Sequence, residues 1–116
     1  MKNNYTIRKT EKLLRELDAC RHALAYLTSI QGTAALSLRK EEVLRKRIRY
    51  LSQTIGAVEH ALVFLDPIEQ KIIRGLYLDT DGSLERVCAT CALEKSSVYR
   101  HRARALGKLA VALYGE

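Results

Sequence analysis

The sequence predicts an all-α fold: an N-terminal antiparallel helical hairpin over residues 1–65, then a three-helix helix-turn-helix domain over residues 66–116. Three observations lead there. Apolar residues recur at alternating steps of three and four, the spacing of one helix face. Helix-start and helix-stop residues bracket the apolar runs. The chain holds a single Pro and no β-rich run. At 116 residues it suits one compact domain, or two small helical units sharing a core.

The first predicted helix carries Leu13, Leu17, Cys20, Leu24 and Leu27 along one seam. The segment Gln31–Ser37 interrupts it, with Gly32 as the stop and Ser37 as the restart. The second helix repeats the seam at Leu44, Ile48, Leu51, Ile55, Val58, Leu62 and Leu65, the heptad spacing of a coiled coil. Gly56 lies inside it at a cost of roughly 1 kcal/mol relative to Ala; it either permits close packing or splits the helix. The hairpin either packs on itself and the C-terminal domain or self-associates through edges such as Tyr26, Ile30, Val63 and Phe64. A homodimer would suit a reader of paired half-sites. Arg45, Lys46, Arg47 and Arg49 form a basic run, which is either a solvated face or an extension of backbone contact.

Asp66-Pro67, with Glu69 three residues after the cap, marks a helix start: Asp66 caps, Pro67 needs no donor at the first turn, and Glu69 reaches back. That helix carries Ile68, Ile72, Ile73, Leu76 and Tyr77, and ends at the turn Asp79-Thr80-Asp81-Gly82. Ser83 caps the next helix, with Glu85 near its positive end and Leu84, Val87, Cys88 and Cys91 on its inner face. A turn at about Ala92–Lys95 leads to a long last helix, with Val98, His101 or Arg102, Ala105, Leu106 and Leu109 inward.

Charge separates along this half. Residues 66–94 hold three basic side chains against six acidic ones, whereas residues 95–108 hold five basic and no acidic ones. Clustered cations either form a solvated face or meet a polyanion, where counterion release makes binding strong and salt-sensitive. The net charge of +7 and pI near 9.5 favour an acidic partner, nucleic acid or membrane surface. No stretch approaches the roughly 20 apolar residues of a membrane span, and the start MKNNYTIRKTEK lacks a secretory signal core. Three Cys without a disulfide pattern fit a reducing cytoplasm. Cys88-x-x-Cys91 lacks two further ligands at zinc spacing, and both Cys fall on an inner helix face. His22, His60 and His101 have no nucleophile partner, and no phosphate loop or carboxylate pair appears. The expectation is no enzyme, no cofactor and no metal.

Residues 65–109 resemble region 4 of sigma-70-type transcription initiation factors. They keep an ungapped apolar spacing at Leu84, Val87, Leu93, Val98, Ala105, Leu106 and Leu109. The ending SSVYRHRARALGKLAVALYG also resembles phage late-gene transcription activators of the ArpU and RinA type. The resemblance covers less than half the chain. It implies promoter binding by the last helix, contact with RNA polymerase, and a phage or prophage origin. Two residues depart from the pattern: Ala92 stands where the turn commonly has Gly, and Glu94 stands where the family often caps with Ser or Thr.

In a helix-turn-helix, the N-terminal part of the second helix presents side chains to base edges in the major groove of double-stranded DNA. That nominates Lys95, Ser96, Ser97, Tyr99 and Arg100, with Arg104 a turn farther on; Arg102 and Lys108 are assigned to phosphate or solvent. Arg100 is the candidate for base readout, because a guanidinium grips guanine through two parallel hydrogen bonds. Ser96 and Ser97 are short enough to let the backbone approach a phosphate. Tyr99 either stacks on sugar or packs on the hairpin. Besides a DNA-binding regulator, two other readings fit: a small phage DNA-packaging subunit, or an adaptor acting through the hairpin.

Overall fold

The computed structural model describes residues 4–33, 37–79 and 82–115. Among them every regular element is helical, so the chain is all-α. The elements are α1 (Asn4–Ile30), α2 (Leu38–Val63), α3 (Pro67–Ile73) with a π-helical turn on its end (Arg74–Leu78), α4 (Leu84–Cys91) and α5 (Lys95–Tyr114).

Local chemistry accounts for the helix ends. Gly32 takes φ +84° at the end of α1, a conformation glycine adopts without a Cβ clash. Ser37 Oγ accepts from the Lys40 amide at 3.3 Å and opens α2. Ser83 Oγ accepts from the Arg86 amide at 3.2 Å and opens α4. At the start of α3, Glu69 Oε1 accepts from the Asp66 amide at 2.9 Å, one half of a capping box. Of the two expected turns, Ala34–Leu36 and Thr80-Asp81 lie outside the described residues. Gly56 neither breaks α2 nor admits a neighbour: the helix is continuous, and the space beside its Cα is empty.

α1 and α2 run past each other in opposite directions. Leu44 and Glu41 lie beside Gln31 and Gly32 at one end, and Arg21 pairs with Glu59 farther along. The seam is unevenly covered: Leu14, Leu17, Val58 and Leu62 are fully buried, whereas Leu24, Leu27, Ile48 and Leu51 are half-buried. Leu44 is buried toward the far end of the pair, and the largest group of buried residues lies where other elements join it. Leu14, Leu17, Val58, Ala61, Leu62 and Leu65 form one core with Ile73 of α3 and Ala105, Leu106 and Leu109 of α5. This core spans residue 65, where the sequence divides. Farther out on α1, Lys9 Nζ sits 4.3 Å from the Tyr114 ring centroid, tying the first turns of α1 to the end of α5.

A second, smaller core belongs to the C-terminal half. Ile72, Val87 and Val98 are buried among Ile68, Leu76, Leu84, Cys88, Cys91 and Leu93. The π-helical turn serves both cores, because Leu76 packs on the second whereas Tyr77 and Leu78 pack on the first. The sequence reading expected an uninterrupted helix to Asp79; the wider turn fits adjacent residues to two different cores. Gly75 and Gly82 allow the next approach. A Cβ on Gly75 would lie 2.7 Å from Val87 Cγ2, and one on Gly82 would lie 1.8 Å from the Gly75 carbonyl oxygen.

Candidate nucleic-acid interface

α4 ends in a left-handed residue, Ala92, at φ 54° and ψ 44°. The Ala92 amide donates to Ala89 O at 3.3 Å and the Leu93 amide to Cys88 O at 3.0 Å, the paired bonds of a Schellman motif. Leu93 packs with Cys88 in the smaller core, the apolar contact that accompanies this motif. Ala92 therefore adopts the backbone conformation for which a turn of this kind usually uses glycine. Glu94 then opens α5 in an extended conformation, with no hydrogen bond from its side chain to the first turn.

Helical stepping divides the first turns of α5 cleanly. Val98 is fully buried against α3 and α4. Ser96, Arg100, Ala103 and Arg104 are exposed, and they fall at steps of four, three and one along one side. Ser97 is half-buried at the edge of that side, and its Oγ accepts from Arg100 Nη2 at 3.0 Å. This bond holds the guanidinium against the helix while leaving its other donors available. Ala103 was not singled out in the sequence, although its place between Arg100 and Arg104 marks it: a methyl there leaves room for close approach.

Tyr99 is 40% exposed, flanked by Lys95 Nζ at 5.9 Å and the Arg102 guanidinium carbon at 5.1 Å from its ring centroid. A ring between two cations is a polarised platform. Arg102 sits partly inward, one of the alternatives the spacing left open. It is half-buried, and its Nε is shielded from solvent without a hydrogen-bond partner. Its charge acts on Tyr77, whose hydroxyl donates to Glu11 Oε2 of α1 at 2.7 Å. Arg102 thus supports Tyr99 from the protein side instead of reaching outward.

Lys108 has partners within the chain. Its Nζ donates to Glu69 Oε1 at 2.8 Å and lies 3.7 Å from Asp66 Oδ2. Glu69 is 1% exposed, and its Oε2 has no partner. A buried carboxylate needs a counter-charge. Burial pushes the Glu69 pKa up, but the Lys108 hydrogen bond, the Asp66 amide and the charges of Lys108 and Arg104 outweigh it and hold the group below its ordinary value. Lys108 is therefore paired with α3 while its side chain stays 44% exposed, and Lys95, Arg100 and Arg104 are the other exposed cations among the nominated residues.

Among the described residues no group of three or more His, Cys, Asp or Glu is placed to hold a metal ion, and no helix is long and apolar enough to cross a membrane. Cys20, Cys88 and Cys91 are free thiols. No family model matches the chain, and neither the curated proteins nor the solved structures contain a match to it.

Proposed function

We propose that this chain is a sequence-specific DNA-binding transcription regulator that sets the N-terminal half of α5 in the major groove and works in the cytoplasm. The observation that carries this reading is the outer side of α5: Ser96, Arg100, Ala103 and Arg104 are exposed together, just after a tight turn from α4, and residues 95–115 contain no acidic side chain. Such a surface presents a guanidinium to base edges and cations to phosphates. The first amides of α5 add donors that favour an anion. The resemblance to sigma region 4 and to phage late-gene activators supports a phage or prophage regulator that also touches RNA polymerase.

Fluorescence anisotropy on labelled duplexes selected from the surrounding genome tests this reading. Three outward cations per chain imply a slope of log affinity against log salt of about −3. Arg100→Ala costs about 1–3 kcal/mol on the preferred sequence and less on random duplex, as expected for a bidentate base contact. Absence of duplex binding at low salt refutes the reading, and an equal Arg100→Ala loss on all sequences moves that residue to phosphate.

A second reading has its own observation. Tyr26, Val43, Tyr50, Val63 and Phe64 are 62–74% exposed on or just after α1 and α2. Large exposed apolar side chains on one helix pair are the material of an interface where they adjoin. This favours a homodimer, or an adaptor whose working surface is the α1–α2 pair. Light scattering on the purified chain separates the cases: a dimer fits the regulator, a monomer bound to polymerase without DNA fits the adaptor, and a ring fits packaging.

A further inference from the structure

We propose that the Gly32 end of the α1–α2 pair docks an acidic, amphipathic helix of a partner protein along its seam. Beyond the shared core this seam is only partly closed. Between Leu17 of α1 and Val58 of α2, Leu44 is the one buried apolar side chain among the described residues, whereas Leu24, Leu27, Ile30, Ile48 and Leu51 stay half-buried. A third helix laid along the pair covers such residues, as in a helical bundle.

In a heptad helix the residues that flank the seam choose its partner through ion pairs. With Leu44, Ile48 and Leu51 in the seam of α2, the charged flanking residues are Lys40, Arg45, Arg47 and Glu59. Glu59 is matched inside the pair by Arg21 of α1. Lys40, Arg45 and Arg47 are exposed, and none of them joins an ion pair among the described residues. α1 has no carboxylate to offer them. Its stretch alongside runs from Arg21, at Glu59, to Gly32, beside Leu44 and Arg45, and residues 19–33 contain no Asp or Glu. The connection Ala34–Leu36 is uncharged as well. Over residues 19–58 seven basic side chains stand against two acidic ones, and those two are engaged locally. Glu41 sits in the first turn of α2, and Glu42 lies 3.7 Å from Lys46.

Charge decides the occupant. A second copy of this face would set like charges opposite one another. A duplex rewards the cations but leaves the recessed Leu and Ile side chains without cover. A helix with an apolar face and carboxylates at its edges meets both needs at once. The inference rests on the reading of the α1–α2 pair as a working surface and names its partner; it does not depend on duplex binding by α5.

Fluorescence anisotropy of two labelled synthetic helices titrated with the full chain tests the proposal. Each has about 21 residues, three heptads with leucine in the seam, and they differ in carrying glutamate or lysine at the flanking positions. The glutamate helix should bind saturably and more weakly as salt rises, and the lysine helix should not bind. The exposed charge reversal Lys40→Glu/Arg45→Glu/Arg47→Glu should weaken the glutamate helix about tenfold or more, the combined scale of three surface ion pairs. The same variant should admit the lysine helix, and circular dichroism checks that it stays folded. Arg100→Gln should bind the glutamate helix as the parent does, while duplex titration reports separately on α5. The proposal falls if the glutamate helix does not saturate, if both helices bind alike, or if the triple variant binds as well as the parent. It also falls if duplex or phosphatidylglycerol vesicles need the three cations while the helix does not. Light scattering that finds a dimer closed over the pair, shutting out the helix, would sink this partner and leave the working surface standing.

Discussion

Replacing Ala92 by Gly should stabilise the protein. Ala92 holds φ 54° and ψ 44°, the left-handed region, where an L-residue with a Cβ is disfavoured by about 1–2 kcal/mol. Glycine removes that penalty but gives up roughly 0.5–1 kcal/mol of backbone entropy on folding. The net gain is about 0.5–1 kcal/mol. Ala92 is exposed, so no packing is lost, and the Schellman bonds from the Ala92 and Leu93 amides are backbone bonds that the change preserves. For the 116-residue chain, an unfolding entropy of roughly 2.1 cal/mol/K per residue converts this gain to a Tm rise of about 2–4 °C. Thermal and urea unfolding followed by circular dichroism measure it. Ala89→Gly is the control, because exposed Ala89 lies within α4, where the same change costs up to about 1 kcal/mol. The two variants should move in opposite directions. If Ala92→Gly were neutral or destabilising, the left-handed turn would not be a strained point, and the account of how α4 hands over to α5 would be wrong.

Four further outcomes follow from the packing and the charges. Gly56→Ala should raise stability by about 0.5–1 kcal/mol, since it improves an open helical position. Gly82→Ala should lower stability much more, because its Cβ would collide with the Gly75 carbonyl; equal urea midpoints for the two variants would contradict the close approach. Burial and the Glu11 hydrogen bond push the Tyr77 hydroxyl up to about 12. Its contribution to stability is therefore intact below the ordinary 10.0 and lost as pH rises through the folded value. Tyrosinate absorbance should show late ionisation, since burial also pushes Tyr114 up, and the part belonging to Tyr77 should move down in Glu11→Gln. Glu69 is held below its ordinary 4.5, so its contribution is present above that value and lost as pH falls through the folded one. In Lys108→Met the Glu69 carboxyl loses the hydrogen bond and the charge of Lys108, so its pKa should rise and the acid dependence from Glu69 should change while duplex affinity is retained; an unchanged acid limb would break the assigned pair.

Much of the local structure was legible because its causes are local. Ser37, Ser83 and Gly32 act within a few residues of themselves, and each marks the helix end where it stands. The outer side of α5 was legible too, since helical spacing alone separates Val98 from Arg100 and Arg104. What periodicity does not reveal is which element covers an apolar face. The heptad seam of α2 reads uniformly, yet Val58 and Leu62 are buried in the core shared with α1, α3 and α5 whereas Ile48 and Leu51 lie outside it and remain half-buried. Leu13 lies on the expected seam, but its neighbour Leu14 is the fully buried residue. The buried face of α1 also continues through Thr6 and Thr10, whose polarity hides it from an apolar count. Thr10 Oγ1 satisfies itself by donating to the Thr6 carbonyl at 2.8 Å.

The cations of α5 show why charge on a helix is a weak guide until register and partners are known. Five basic residues in fourteen looked like one surface. α5 in fact has two parts: its first turns stand out from the small core of Ile72, Val87 and Val98, whereas its later turns enter the core shared with α1 and α2. Arg100 and Arg104 belong to the first part and face outward. Lys108 belongs to the second, where the nearest unmet need is the buried Glu69 carboxylate 39 residues earlier in the chain. The same residue type therefore offers a positive charge to a ligand at one end of the helix and cancels an internal negative charge at the other. Anchoring the later turns in this way also fixes the rotation of α5 about its axis. The direction in which Arg100 points is thus set by packing more than one helical turn away from it.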